Sequence, residues 1–326
     1  MPHVVIAGKI HDDGLAVLQN AADVTIDYVD AASPDAYIPF TAKADAVLIR
    51  TQPMTESIVA HAPKLKIVSR HGVGYDAIDV AALNARGIAL AIVGDVNSRA
   101  VGEHTLMLML AAARRTVNYD QASRTGNWNI RNRFETLELD GKTLLLFGFG
   151  RIGRRVAQLA QAFGMQVMAH DPYVNRDAMS TAGVSLVDDL NDAFAAADFI
   201  SLHVPLLGGK PVIGREELKR LKPNAVIVNA ARGGLIDEAA LDEALREGRI
   251  AGAALDVFAE EPPPSGNPLL RNERVTISPH SAGLTQECAR RMAIASAQNI
   301  LDYFDGKLDP ALIVNAKQLS SKSHPA

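Results

Sequence analysis

The sequence predicts an α/β fold built on parallel sheets, and three observations carry that expectation. Short runs rich in Val, Ile and Leu alternate with longer amphipathic stretches over most of the chain, the pattern of parallel strands joined by crossover helices. A glycine triplet in "TLLLFGFGRIGRRVA" directly follows one such run and opens a helix. With 326 residues and 48% hydrophobic content, the chain is long enough for two cores, at roughly 100–200 residues per domain.

In chain order, the first strand candidates are "HVVIAG" (3–8), "DVTIDYV" (23–29), "AVLIR" (46–50), "LKIVSR" (65–70) and "IALAIV" (88–93), each followed by a turn and a helix-like stretch such as "DGLAVLQNA" or "TESIVAHA". A long helix is expected from about Ser98 to Tyr119, because the segment opens on a capping Asn97 or Ser98 and contains no proline; it reads as a connector between domains. The polar stretch 124–142 has no helical period and reads as an irregular arm at an oligomer contact. A second series follows: "TLLLFG" (143–148), "QVMAH" (166–170), "FISLHV" (199–204), "AVIVNAA" (225–231), "GAALDVF" (252–258) and "VTISP" (275–279). Thr285 to about Phe304 is helical again and "DPALIVN" (309–315) follows; if that helix crosses back, the first domain is discontinuous. No internal repeat is present, and the tail "SSKSHPA" reads as disordered.

Bulk properties narrow the function. A net charge of −4 provides no sequence-wide basic field, which disfavours nucleic acid and anionic membrane as partners. Cys288 is the only cysteine, so no intrachain disulfide can form and a reducing, cytoplasmic location is the simplest reading. The longest apolar stretch, Leu106 to Ala113, falls well short of the roughly 20 residues that a membrane span needs. The N-terminal "MPHVVIAGKIHDD" has no basic leader or signal-length apolar core.

Gly148, Gly150 and Gly153 form G-x-G-x-x-G between a strand and a helix. Gly148 permits the tight turn, Gly150 lets backbone approach a pyrophosphate, and Gly153 lets helix pack on strand, while the helix N-terminal amides face the anion. Asp171 lies 18 residues after Gly153, where an acid that binds adenosine ribose hydroxyls is expected. An acid there repels a 2′-phosphate, which favours NAD over NADP. The competing readings are a glycine turn with no ligand and another nucleoside cofactor such as S-adenosylmethionine. A second G-x-G, in "RHGVGYDAID" (70–79), lacks the third glycine; the amides of Gly72, Val73 and Gly74 form either a small anion nest suited to a carboxylate or an ordinary turn capped by Asp76.

Ligands of open parallel sheets bind outside the carboxyl ends of the strands. Arg232 follows "AVIVNAA", Glu261 follows "GAALDVF" and His280 follows "VTISP", so all three fall on one edge of the second sheet. That trio suits hydride transfer at a 2-keto or 2-hydroxy acid. A keto oxygen that gains a hydride equivalent must also gain a proton, and histidine, with an unperturbed pKa of about 6.5, is the acid/base closest to neutrality. A carboxylate beside the imidazole, here Glu261 with Pro262 behind it, stabilises the protonated ring. The planar fork of Arg232 can bind the substrate carboxylate and polarise the carbonyl, with Gly233 and Gly234 leaving room around it. Each residue taken singly also has an ordinary reading: a structural hydrogen-bonding histidine, a solvated Glu260–Glu261 pair, a surface ion-pair arginine.

"GKTLLLFGFGRIGRRVA", "LKPNAVIVNAARGGLIDEAAL", "AGAALDVFAEEPP" and "SPHSAG", within a match from "HVVIAG" to "ALIVNA", resemble the D-isomer-specific 2-hydroxyacid dehydrogenase family, the D-3-phosphoglycerate dehydrogenase-like enzymes included. The resemblance implies two Rossmann-like domains with the active site in the interdomain cleft: a substrate-binding domain of residues 1–98 and 288–326, and an NAD-binding domain of residues 99–287. It also implies a homodimer built through the nucleotide domain, no metal, and the roles inferred above for Arg232, Glu261 and His280. By position it carries Arg151 and Ile152 to the pyrophosphate, and Asp171 with Pro172 to the adenosine ribose. His203, Val204 and Pro205 go to the adenine region, Ala230, Ala231, Arg232 and Asp256 to the nicotinamide side, and His280, Ser281, Ala282 and Gly283 over the ring. Asp256 also reads as a buried strand-end hydrogen-bonding group.

On the substrate side, Arg50 resembles an arginine with which phosphoglycerate-oxidising members contact substrate, and equally reads as a structural strand-end residue. The sequence departs from the family pattern at His71, where a small residue is usual and an imidazole is expected to protrude into the acid-binding pocket, and at "PLLGGKPVIG". The chain reaches Ala326 with no amino-acid-binding extension, so serine feedback of the kind some phosphoglycerate members show is not expected. The substrate stays open among 3-phosphoglycerate, glyoxylate or hydroxypyruvate, lactate and sulfolactate types. An NAD(H)-sensing, corepressor-like interaction protein on the same fold is the alternative function.

Overall fold

The computed structural model describes residues 1–31 and 33–322. Among the described residues, twelve strands form two sheets in which every neighbouring pair is parallel. β1 (His3–Ala7), β2 (Thr25–Val29), β3 (Ala46–Ile49), β4 (Ile67–Arg70) and β5 (Ala89–Ala91) lie in the order β2-β1-β3-β4-β5. β6 (Thr143–Phe147), β7 (Gln166–His170), β8 (Ser185–Leu186), β9 (Phe199–Leu202), β10 (Val226–Asn229), β11 (Gly252–Leu255) and β12 (Val275–Ile277) lie in the order β12-β11-β10-β9-β6-β7-β8.

Helices cover both faces of each sheet, which is why the strands read as continuous apolar runs. Along β6, Leu145 and Phe147 enter one core while Leu144 and Leu146 enter the other. Along β1, Val5 and Ala7 face one core while Val4 and Ile6 face a second, and that second core contains Ala293, Ala297 and Ile300 of the helix Gln286–Phe304. The late helix thus packs on the first sheet. The chain divides into two compact units, one of Met1–Asn97 plus the segment that starts at Leu284, the other Ser98–Gly283. The breaks fall slightly earlier than the expected 98 and 287. Buried Ser98 already belongs to the helix Ser98–Ala113, and Thr285 caps its helix by accepting the Cys288 amide at 3.1 Å.

Three expectations are corrected. The helix expected over Ser98–Tyr119 is two helices, Ser98–Ala113 and Thr116–Arg124, broken where Arg115 adopts a left-handed φ of 50°. Within the arm, Trp128–Arg133 form a 3-10 helix. The segment 309–315 docks on the first sheet: Ala91 bridges Ile313 in antiparallel sense, and buried Asn315 accepts the Leu90 amide at 2.9 Å while donating to Asn84 and Ile88. Of the tail expected to be disordered, Ser320 to Lys322 continue the helix Ala316–Lys322, and residues 323–326 lie outside the described residues. Among the described residues no helix is long and apolar enough to cross a membrane.

Both sheets have a switch point, where consecutive strands leave one central strand in opposite directions. In the second sheet it lies between β6 and β9, and in the first between β1 and β3. The first crevice is filled: Gly8, at the end of β1, lies so close to the side chain of Gln52 that a Cβ would meet its amide group at 2.6 Å, and buried Gln52 donates to the Ala31 carbonyl.

One buried group makes the first unit sensitive to acid. His71, at the end of β4, is 5% exposed and its Nε2 has no hydrogen-bond partner. Burial, then the neighbouring charges of Arg70 and Arg50, push its pKa down to about 4. In the unfolded chain the ring titrates near ~6.5, so below that pH the unfolded state takes up the proton first. Stability present above pH ~6.5 is therefore lost as pH falls toward 4. Urea unfolding at pH 7 and pH 5 is expected to show a loss of about 2 kcal/mol attributable to this ring, and His71→Gln, with nothing to titrate, to show a correspondingly flatter dependence; an identical dependence in the two proteins would contradict it.

Candidate active site

In the second unit the sequence-selected residues stand directly after strand ends on one edge. Gly148–Gly153 follow β6, Asp171–Pro172 follow β7, His203–Pro205 follow β9, Ala230–Arg232 follow β10, Asp256 follows β11, and His280–Gly283 come shortly after β12. β6 and β9 bound the switch point, so the glycine turn occupies the position where open parallel sheets accept a nucleotide.

The local geometry shows why glycine is required. Gly148 has φ of +91°, and a Cβ there would press on the His203 carbonyl and Val204. A Cβ on Gly153 would overlap the Gly148 carbonyl. A Cβ on Gly150 would meet nothing within 4 Å, so the turn is packed from behind and open in front. The helix Arg151–Ala162 starts at Gly150, with no acidic residue in its first turn and with Arg151 exposed. Unpaired amides, a basic side chain and an open cradle fit a pyrophosphate.

Asp171 is tied to this turn. One carboxylate oxygen accepts the Phe149 amide at 2.8 Å and the other the Tyr173 amide at 2.9 Å. Each oxygen keeps a lone pair for a ribose hydroxyl, and the half-buried negative charge disfavours a 2′-phosphate. His203 is less available than expected. Its Nδ1 is buried without a partner, Nε2 pairs with Ser201 Oγ at 2.9 Å, and burial pushes its pKa down to about 4. Val204 is half-buried and Pro205 exposed beside it.

The proposed acid/base pair meets. His280 Nδ1 and Glu261 Oε2 are 2.6 Å apart, with the His280 side chain 54% exposed. The other oxygen of Glu261 accepts the Phe258 amide at 3.0 Å, so the carboxylate is held at both ends. The next amide, Ala259, donates to Glu238 at 2.6 Å, and Glu238 also holds Asn267. The Glu261–Pro262 peptide is cis.

Arg232 sits in a turn organised by buried Asn229, whose side chain accepts the Ala231 amide at 3.1 Å and donates to the Arg232 carbonyl at 2.8 Å. Gly233, expected to leave room around Arg232, instead allows close contact: a Cβ would overlap the Phe258 carbonyl. The turn with Arg232 and the loop that leads to Glu261 therefore touch through backbone.

Asp256, read from sequence either as a nicotinamide-side residue or as a buried strand-end hydrogen-bonding group, has a carboxylate that is 0% exposed. Oδ1 accepts Ser278 Oγ at 2.5 Å and the Ser281 amide at 2.9 Å, with His104 Nε2 at 3.3 Å; Oδ2 accepts the Ala282 amide at 2.9 Å. Burial alone would push its pKa up, yet the hydrogen bonds of His104, Ser278, Ser281 and Ala282 outweigh it and hold the carboxyl below its ordinary value. The sequence reading missed His104, Glu238 and Asn229. The available signal was the place of His104 just before the apolar run Leu106 to Ala113.

In the first unit, Arg50 Nη1 donates to the Lys9 carbonyl at 3.2 Å. Arg70 closes the "RHGVG" turn, with Nε on the Gly74 carbonyl at 2.7 Å and Nη1 on the His71 carbonyl. The Gly72 amide is spent on the Arg70 carbonyl at 2.9 Å, so of the two readings of this segment an ordinary turn fits better than an anion nest that includes Gly72. His71 does not protrude: its ring is buried in the unit, where the neutral form is favoured.

Residues 106–282 match the family model described as D-isomer specific 2-hydroxyacid dehydrogenase, NAD binding domain. A D-3-phosphoglycerate dehydrogenase of Methanocaldococcus jannaschii is 41% identical over 310 residues, 94% of this chain but 58% of that protein, so the chain spans little more than half the length of such relatives. A glyoxylate reductase of Korarchaeum cryptofilum is 36% identical over 319 residues and covers 96% of both chains. Among solved structures, D-lactate dehydrogenase from Aquifex aeolicus, complexed with NAD and lactic acid, superimposes with a TM-score of 0.87 at 25% identity, covering 95% of this chain and 98% of that one. With the family model matched across the second unit and identity running along nearly the whole chain, this protein belongs to the D-isomer specific 2-hydroxyacid dehydrogenase family, and its second unit is that family's NAD binding domain.

Proposed function

We propose that this protein is an NAD-dependent oxidoreductase that interconverts a small D-2-hydroxy acid and its 2-keto acid. The observation that carries the reading is the 2.6 Å contact between His280 and Glu261 on the sheet edge that also bears the glycine turn. Gly148–Gly153 and Asp171 would hold NAD, which would supply the hydride acceptor or donor for the substrate C2. With Nδ1 directed to Glu261, His280 has Nε2 left to give a proton to the keto oxygen during reduction, or to take it from the hydroxyl during oxidation. Glu261 fixes the ring and balances the imidazolium charge. The Arg232 guanidinium binds the substrate carboxylate in a two-point contact and polarises the adjacent carbonyl. Arg50 and the backbone at Val73 and Gly74 are the candidates for the substrate side in the first unit; buried His71 is not a direct ligand. Likeness to a glyoxylate reductase makes glyoxylate one candidate substrate, and the higher identity to D-3-phosphoglycerate dehydrogenases makes 3-phosphoglycerate another.

The partner is proposed to be a second copy. Between Met107 and Phe134, the second unit exposes Met107, Val117, Trp128 at 66% and Phe134 at 89%, on successive helical segments that pack on one another. Large apolar side chains exposed on neighbouring segments support this face as the interaction surface.

Three outcomes follow from this reading. A panel of 2-keto acids with NADH is expected to show turnover, and His280→Ala to lower kcat by about 100-fold to 10,000-fold while NADH binding, read by fluorescence, persists; undiminished turnover in that variant removes the assignment. Asp171→Ser is expected to shift the NADH-to-NADPH ratio of kcat/KM toward NADPH by roughly 100-fold, the size of one charge-assisted hydrogen bond. The ratio is the right readout because Asp171 also holds the Phe149 amide. Sedimentation is expected to give twice the 34.8 kDa chain mass, and Trp128→Arg with Phe134→Arg a folded monomer; a monomeric wild type would count against the dimer.

A further inference from the structure

The turn that carries His280 has an unusual backbone. His280 is a non-glycine residue at φ of 50°, its amide donates to the Asp256 carbonyl at 2.7 Å, and the next two amides, Ser281 and Ala282, donate to the Asp256 carboxylate. The turn is therefore wrapped around one residue of the neighbouring strand end. What holds that residue from the far side is His104, on the helix Ser98–Ala113. Ser278 Oγ spends its proton on Asp256 Oδ1 at 2.5 Å, so its lone pair accepts from His104 Nε2 at 2.9 Å. The same Nε2–H points close to Oδ1, at 3.3 Å. The His104 side chain is 16% exposed, so little water is at hand to replace that donor.

We propose that His104 is a positioning residue for the acid/base turn: through Ser278 and Asp256 it holds the backbone of residues 280–282 in the conformation that keeps His280 on Glu261. His104 touches neither His280 nor Glu261 and acts only through the strand-end carboxylate. Without its hydrogen bond, Asp256 keeps the two amides but loses a donor to a sealed charge. Ser278 keeps its bond to Asp256 but loses the donor to its own oxygen. The turn then opens more often, and His280 leaves Glu261 for part of the time.

The catalytic half of this inference rests on the assignment of His280 as the acid/base; the structural half does not, and the test separates them. In His104→Leu, hydrogen–deuterium exchange at the amides of His280, Ser281 and Ala282 is expected to accelerate by about tenfold to a hundredfold, the equivalent of one lost hydrogen bond to a charged group, while the strands of the second unit keep wild-type protection. His104→Gln, whose amide nitrogen can stand where Nε2 stands, is expected to restore slow exchange. With a keto acid that the wild type reduces, kcat of His104→Leu is expected to fall by a similar factor with NADH affinity unchanged, and the Gln variant to recover most of it. Exchange at 280–282 as slow in His104→Leu as in the wild type overturns the proposal. Fast exchange with unchanged kcat overturns its catalytic half. If the wild type reduces no keto acid, the functional assignment fails and the exchange measurement alone still decides whether His104 holds the turn. Should His104→Leu fold poorly, Ser278→Ala, which removes the intermediate hydroxyl, serves for the same two readouts.

Discussion

A sealed carboxylate at the end of β11 is the constraint on which the second unit's site depends. Removing a carboxylate from water costs several kcal/mol even after relaxation, and Asp256 has no exposed side-chain surface with which to recover it. Hydrogen bonds to a charged group contribute about 1.5–3 kcal/mol each, so the four donors around Asp256 are enough to offset the burial, in agreement with the lowered direction of its pKa. The consequence is geometric. Two of those donors are consecutive backbone amides, and they can reach one carboxylate only if the chain turns sharply just before them, which puts His280 in the left-handed region. That conformation costs an L-residue about 1–2 kcal/mol. It persists because the same turn satisfies a charge that would otherwise be stranded.

The other strand-end loops are held by close backbone approach. Gly153 lets the helix that starts at Gly150 lie on the Gly148 carbonyl, and Gly233 lets the Arg232 turn lie on the Phe258 carbonyl. In each case a methyl group would force two stretches of backbone apart. Carboxylates then pin what the glycines bring together. Asp171 takes the Phe149 amide, Glu238 the Ala259 amide, and Glu261 the Phe258 amide. Glu261 is therefore fixed by its own loop before it meets His280, so the His280–Glu261 contact joins two groups that are each held independently.

Strand positions in both sheets were legible from sequence because parallel strands buried on both faces leave an uninterrupted apolar signature; the exception is β8, whose two residues are too few to show one. The glycine triplet and Asp171 were legible because their spacing is tied to a single strand–turn–helix unit. Glu261 and His280 could be paired from sequence through the shared sheet edge, because each follows a strand of the same parallel series. What stayed hidden was set by contacts between distant segments. His104 reads as a polar residue just before an apolar run and acquires meaning only from Ser278, 174 positions later. Arg115 breaks its helix without glycine or proline to announce it. His71 looked like a projecting imidazole because periodicity does not say which way a residue beyond the strand end will turn.

The two sheets share a local grammar, a central strand flanked on both sides and a glycine at its end, yet only one end is suited to a dinucleotide. In the first unit the glycine after β1 faces the Gln52 amide, which fills the space where a phosphate would lie and satisfies its own polar groups on Ala31 and Thr51. The G-x-G of "RHGVG" follows β4, one strand beyond that switch point, and its first amide is already bonded to Arg70. In the second unit the corresponding glycine is followed by Gly150, before which nothing stands. Nucleotide binding is thus decided less by the glycines themselves than by what the neighbouring strand end places in front of them: a buried amide side chain in one sheet, open space and a helix N-terminus in the other.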